Sequence, residues 1–149
     1  MIKTFIVEDS PVIRENLIAT LEEMVPLQVV GWAEGSRAAV DWLQAAGRDC
    51  ALVIVDLFLR EGSGMQVLRE LAHAKHGADR VVLTNYATPD LRRQCLAMGA
   101  AQVFDKSSEI DGLIDYCLRL AERHALPPAA REGDGQGGGG SQGQSGNAF

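Results

Sequence analysis

Short apolar, β-branched runs alternate five times with longer segments of helical periodicity, and this alternation constrains the fold more than any other feature of the chain. The runs at 3–7 (KTFIV), 28–32 (QVVGW), 51–55 (ALVIV), 80–83 (RVVL) and 101–104 (AQVF) read as strands. Residues 12–24, 38–46, 65–74, 90–98 and 109–124 read as helices, the first with an apolar face of Ile13, Leu17, Ile18 and Leu21. Ser10-Pro11 and Thr88-Pro89 each set a capping hydroxyl before a proline at the first helical position; Ser36, and Ser107 or Ser108, are candidate caps for two more helices. A run such as ALVIV, apolar at every position, has to be covered on both faces. Five βα units in series therefore predict an α/β fold with a doubly wound, five-stranded parallel sheet.

Of the 149 residues, 46% are hydrophobic and 23% charged, enough apolar material for one folded domain. The formal net charge of -6 leaves no cationic surface for a phosphate backbone, so direct nucleic-acid binding is not expected. No run approaches the roughly 18 uninterrupted apolar residues of a membrane span, and acidic residues follow the short N-terminal apolar run at once, unlike a signal peptide. No membrane association and a cytoplasmic location are the expectation. Cys50, Cys95 and Cys117 are widely spaced in apolar surroundings without any CxxC, which suits buried reduced thiols. From Arg131 the chain becomes EGDGQGGGGSQGQSGNAF, too poor in apolar residues to offset its ordering entropy. With Pro127-Pro128 as a helix stop, the expected organisation is a folded domain over 1–126 and a flexible Gly/Gln/Ser-rich tail over 127–149.

In doubly wound sheets the functional crevice lies at the carboxyl ends of the strands. Those ends carry Glu8 and Asp9 after the first run, Asp56 after the third, Thr84 after the fourth and Lys106 after the fifth. Taken singly, each has a structural explanation as a cap, a loop residue, a strand-end hydroxyl or a solvated charge. Together they place three carboxylates, a hydroxyl and an ammonium at one edge. Close carboxylates repel one another unless a cation joins them. A hard divalent ion such as Mg²⁺ suits an all-oxygen site and keeps positions open for a phosphoryl oxygen. A carboxylate is also a nucleophile toward phosphorus, and the hydroxyl and ammonium can then donate to the phosphoryl group and neutralise it.

Residues 1 to about 124 resemble the receiver domain of bacterial two-component response regulators, the flavodoxin-like fold shared with chemotaxis-type single-domain regulators. The resemblance rests on FIVEDSP, on LVIVDLFLREGSG with Gly64 eight residues after Asp56, on VVLTNYA and on GAAQVFDKS. It implies strand order 2-1-3-4-5 and a phosphorelay switch in which Asp56 accepts a phosphoryl group from a sensor histidine kinase or phosphotransfer protein. It further implies Mg²⁺ held by Asp9, Asp56 and the backbone carbonyl of Phe58, with Glu8 acting through a water, while Thr84 moves toward the phosphoryl group and Lys106 pairs with it. The fourth helix, fifth strand and fifth helix would form the face for a downstream protein or a homodimer. A receiver portion of a larger regulator, with its output domain elsewhere, fits the same residues.

The chain departs from the family pattern at two points. Ser107 follows the site lysine where many receivers have proline, and Val103 replaces the aromatic that commonly turns inward on activation. Phe104 falls on the opposite strand face. Phe58 and Tyr86, each two residues past a site residue, flank the path of a hydrolytic water and would either slow phosphoryl loss or merely cover the loop tips. Trp32 and Trp42 read as packing residues. His73, His76 and His124 lie near helix C-termini, where an imidazolium meets the helix dipole favourably. Arg92-Arg93 reads as a solvated face or part of a partner surface. Two rivals fit less well: a small aspartyl-nucleophile phosphohydrolase of the haloacid dehalogenase type would need a second Asp where Phe58 stands, and a pure interaction module has no use for all five site residues.

Overall fold

A computed structural model describes residues 1–45 and 49–126. Strands and helices alternate in the order β1 (Ile2–Val7), α1 (Pro11–Met24), β2 (Leu27–Ala33), α2 (Ser36–Gln44), β3 (Leu52–Val55), α3 (Gly64–His73), β4 (Asp79–Thr84), α4 (Pro89–Ala97), β5 (Gln102–Asp105) and α5 (Ile110–Ala125). The sheet runs β2-β1-β3-β4-β5 with every neighbouring pair parallel, the doubly wound flavodoxin-like order that the resemblance implies. Element ends fall within two residues of their expected places, and those at Val7, Met24 and Val55 coincide. Ala46, the expected end of the second helix, Pro127-Pro128 and the expected tail 127–149 lie outside the described residues.

Strand alternation sorts the core into layers. Ile6, Ile54 and Leu83 face Leu17 and Leu21 of α1 and Leu113 and Cys117 of α5. Their neighbours Phe5, Val7, Val53 and Val55 face Ala39 and Leu43 of α2 and Val67 and Leu71 of α3. Slipping a strand by one residue would exchange the two faces, so the fully apolar strands still hold a defined register against their helices. Phe5 stacks on Trp42 with ring centroids 4.4 Å apart, which accounts for Trp42 as a packing residue. Cys95 and Cys117 are buried and all three cysteines are free. Burial pushes the Cys117 thiol up to about 12 and the Cys50 thiol to about 11, away from reactive thiolate character.

Ser10 and Thr88 cap α1 and α4 as expected, accepting from the amides of Ile13 and Leu91. Two other expected caps are not formed. Ser36 is the first residue of α2, its N-cap is Gly35, and the buried Ser36 hydroxyl donates to Gln66 Oε1 at 3.1 Å. Ser107 and Ser108 turn their amides to the Asp105 carboxylate at 2.8 and 3.2 Å, and Glu109 becomes the N-cap of α5. A charged acceptor at the strand end outcompetes a serine hydroxyl for the turn's donors. On α1 the buried stripe is Arg14, Leu17 and Leu21, whereas Ile13 is 39% exposed. His76 lies past the end of α3, which closes at His73, rather than on the helix terminus. Its Nδ1 accepts from the Ala78 amide at 3.1 Å and its Nε2 lies 3.2 Å from the Leu43 carbonyl, a pair of bonds that requires the Nε2–H tautomer.

Candidate functional site

β1 and β3 are neighbours that end at the same register, Val7 opposite Val55. The amide of Asp56 then donates to the Val7 carbonyl at 3.0 Å, while the Glu8 amide donates to Ala33 of β2 at 3.0 Å. Parallel pairing alone thus delivers Glu8, Asp9 and Asp56 to one spot, each with a carboxylate oxygen within 4.8 Å of the others. Lys106 arrives from the far edge of the sheet. Its amide donates to the Thr84 carbonyl at 2.9 Å, and its Nζ reaches Glu8 Oε1 at 2.7 Å and Asp56 Oδ2 at 3.0 Å. The three paired side chains are only 11%, 4% and 9% exposed for Lys106, Glu8 and Asp56.

One backbone amide also orients each carboxylate. Glu8 Oε2 accepts from the Ser10 amide at 3.0 Å, Asp56 Oδ1 from the Phe58 amide at 3.4 Å and Asp9 Oδ2 from the Arg60 amide at 2.8 Å. Burial would lower the proton affinity of Lys106, but hydrogen bonds and charges from Glu8 and Asp56 exceed that effect and hold its ammonium above the ordinary lysine value. Three carboxylates face this single buried ammonium, since Arg60 is 80% exposed and 3.8 Å from Asp9. A compact, acid-rich set without nitrogen or sulfur donors fits a hard divalent ion such as Mg²⁺.

Gly64 makes the approach of α3 possible: a Cβ there would lie 2.2 Å from the Asp56 carbonyl oxygen and 2.8 Å from Val55 Cγ1. Ser63 caps the same helix through the Gln66 amide. Thr84 ends β4, fully buried, opposite Asp105 in the β4–β5 register. Its hydroxyl accepts from the Tyr86 amide at 3.2 Å and, among the described residues, makes no hydrogen bond to the carboxylates. Phe58 and Tyr86 do meet, edge to face at 5.0 Å between centroids, and are 53% and 60% exposed. Val103 is buried with Leu68, Val82 and Cys95, while Phe104 packs on the other face against Tyr116, as alternation requires.

Two arrangements escaped the sequence reading. Arg14, 5% exposed, donates to the Glu8 carbonyl at 3.1 Å and to Glu34 at 3.2 Å, with its guanidinium 3.8 Å from the centroid of the Trp32 ring. It stands three and seven residues before Leu17 and Leu21, so a full count of the helical stripe contains it. Arg92 is half exposed yet also tied down by its whole guanidinium. Its Nε donates to Ala87 O at 3.1 Å, Nη1 to Val103 O at 2.8 Å and Nη2 to Glu109 Oε1 at 2.8 Å. Arg93 is exposed and pairs with Asp90.

The family model of the response regulator receiver domain matches residues 4–117. The chain belongs to this family. It is 30% identical over 111 residues to the transcriptional regulatory protein YdfI of Bacillus subtilis, covering 73% of this chain and 51% of that protein. It is also 30% identical over 101 residues to the DNA-binding transcriptional activator DevR/DosR of Mycobacterium tuberculosis, covering 68% and 46%. The chain therefore spans about half the length of these curated relatives. The receiver domain of a Francisella response regulator superposes with a TM-score of 0.74 at 17% identity, over 83% of this chain and 99% of that one.

Proposed function

We propose that Asp56 accepts a phosphoryl group from a phosphohistidine on a sensor kinase or phosphotransfer protein, and that the added charge changes the affinity of the chain for a protein partner. The observation that carries this reading is the convergence of three carboxylates within 4.8 Å of one another, with Lys106 Nζ 3.0 Å from Asp56. In the transfer, an Asp56 carboxylate oxygen bonds to phosphorus as the bond from phosphorus to the donor nitrogen breaks, its electron pair staying on the imidazole. Lys106 already lies beside the acceptor oxygen and neutralises the incoming charge as a point cation. The Thr84 hydroxyl accepts from Tyr86 and retains its proton to donate to a phosphoryl oxygen. Asp9, Asp56 and the Phe58 carbonyl would hold Mg²⁺, with Glu8 acting through a water; when bound, the ion neutralises charge on the phosphoryl oxygens.

The functional unit in this reading is residues 1–126, a cytoplasmic switch that carries out its own phosphorylation from small donors and its own dephosphorylation. Among the described residues no helix is long and apolar enough to cross a membrane. The α4–β5–α5 face supplies the partner surface. That the curated relatives are about twice as long favours a second reading, in which these residues are the receiver portion of a regulator with a separate output. Incubation with Mg²⁺ and acetyl phosphate, followed by intact mass, tests the first reading. A slowly decaying phospho-adduct that is absent in Asp56→Asn supports it; rapid turnover of diverse phosphate esters, or no adduct at all, overturns it.

A further inference from the structure

Two loops carry the residues that would sense a phosphoryl group, one following Thr84 and one around Lys106, and they are joined at both ends. At the site end the Lys106 amide bonds the Thr84 carbonyl at 2.9 Å. At the far end the joint is Arg92, whose guanidinium spans Ala87 of the first loop and Val103 and Glu109 of the second segment. Glu109 Oε1 accepts from the Asp105 amide at 2.8 Å as well, so the same carboxylate oxygen holds the residue next to Lys106. Arg92 draws the Glu109 carboxyl below its ordinary value, with the Asp105 amide adding to the effect. The Val103 side chain, 5% exposed, is packed in a buried cluster with Leu68, Val82 and Cys95.

We propose that the Arg92–Glu109 clasp transmits the phosphoryl state of Asp56 to the outer face of α4 and the start of α5, an inference that rests on Asp56 being the acceptor. A phosphoryl group on Asp56 draws the Thr84 segment and the Lys106 ammonium toward it. The Ala87 carbonyl and the Asp105–Glu109 turn, which the same guanidinium and its partner carboxylate hold, move with them and load the clasp. The pair is half exposed, 36% for Arg92 and 41% for Glu109, so water can replace its bonds without stranding a buried charge. Both the closed and the released arrangement are therefore accessible, which a switch element requires. Arg92 is a positioning residue: it touches neither the carboxylates nor the phosphoryl group.

The test is amide hydrogen exchange on the full chain, with and without beryllofluoride and Mg²⁺ as the phosphoryl mimic, for the native sequence, Arg92→Gln and Arg92→Lys. The native chain should respond both at residues 58–60, beside the acceptor, and in α4 with the start of α5. Arg92→Gln should keep the first response and reduce the second by about fivefold or more. Arg92→Lys keeps the charge but lacks the fork of donors, and should behave like Arg92→Gln. An α4 response in both variants equal to the native one overturns the proposal while leaving Asp56 as acceptor. No response at residues 58–60 in the native chain overturns both readings together.

Discussion

Lys106→Met and Asp56→Asn each delete one charge from the same buried cluster, yet the structure requires their effects on stability to differ in size. Lys106 Nζ lies 2.7 and 3.0 Å from Glu8 and Asp56. At an effective dielectric of about 20, each contact is a gross attraction of roughly 5–6 kcal/mol. Much of that offsets desolvation, and removing one partner of such a pair costs about 3–5 kcal/mol because buried charge is left uncompensated. The side chains of Glu8 and Asp56 are under 10% exposed, so water does little to relieve them. Asp56→Asn removes one attraction of the same size but also two repulsions acting over at most 4.8 Å, each roughly 3.5 kcal/mol at that dielectric. The two repulsions together, about 7 kcal/mol, exceed the lost attraction by about 1.5 kcal/mol in the same gross measure, so Asp56→Asn should leave stability unchanged or raise it by up to about 1.5 kcal/mol. Urea unfolding in EDTA at neutral pH measures both, with a constant slope confirming that the midpoint shift reports stability. Equal losses for the two variants would refute the reasoning. The pH dependence supplies a second check. Because the folded Lys106 ammonium titrates above its ordinary value, its contribution is fully present below the unfolded lysine value of about 10.4 and lost as pH rises through the higher folded value. The gap between native chain and Lys106→Met should stay constant from neutral pH to about 9 and close only in stronger alkali; a gap that narrows near neutrality assigns the effect to another group.

Gly64→Ala forces a Cβ to within 2.2 Å of the Asp56 carbonyl. It should destabilise the chain by about 1–3 kcal/mol and slow adduct formation with acetyl phosphate; native-like values for both would show that α3 can recede freely. Replacing Phe58 and Tyr86 together by serine removes a largely exposed ring pair, so stability should change by no more than about 1 kcal/mol. If the rings screen the acceptor from water, decay of the phospho-adduct should quicken by about threefold or more; an unchanged decay rate disposes of that role and leaves them as loop cover.

The residues legible in the sequence are those whose position is a backbone consequence. Once five runs pair in parallel, whatever follows Val7, Val55 and Leu83 has to meet at one edge, and short side chains such as Asp9, Asp56 and Thr84 cannot stray far from their Cα atoms. Val103 and Phe104 fell on opposite faces for the same reason. The misread residues are mostly long cations or loop donors with several acceptors in reach. The bonds of Arg92 are not readable from helical spacing, which compares it only with its own helix, whereas its acceptors lie across a loop on β5 and at the cap of α5. Arg14 is absent from the apolar face of Ile13, Leu17, Ile18 and Leu21 because that face counts only apolar residues, although its stem can line the stripe while its head serves the Glu8 carbonyl. Local pattern offers Ser107 or Ser108 as a cap because it ranks hydroxyls well, yet Asp105 holds the amide and hydroxyl of Ser107 and the amide of Ser108. Strand ends therefore bring the carboxylates, the hydroxyl and the ammonium to one edge, and the guanidinium groups of Arg14 and Arg92 bond the backbone of the adjoining segments.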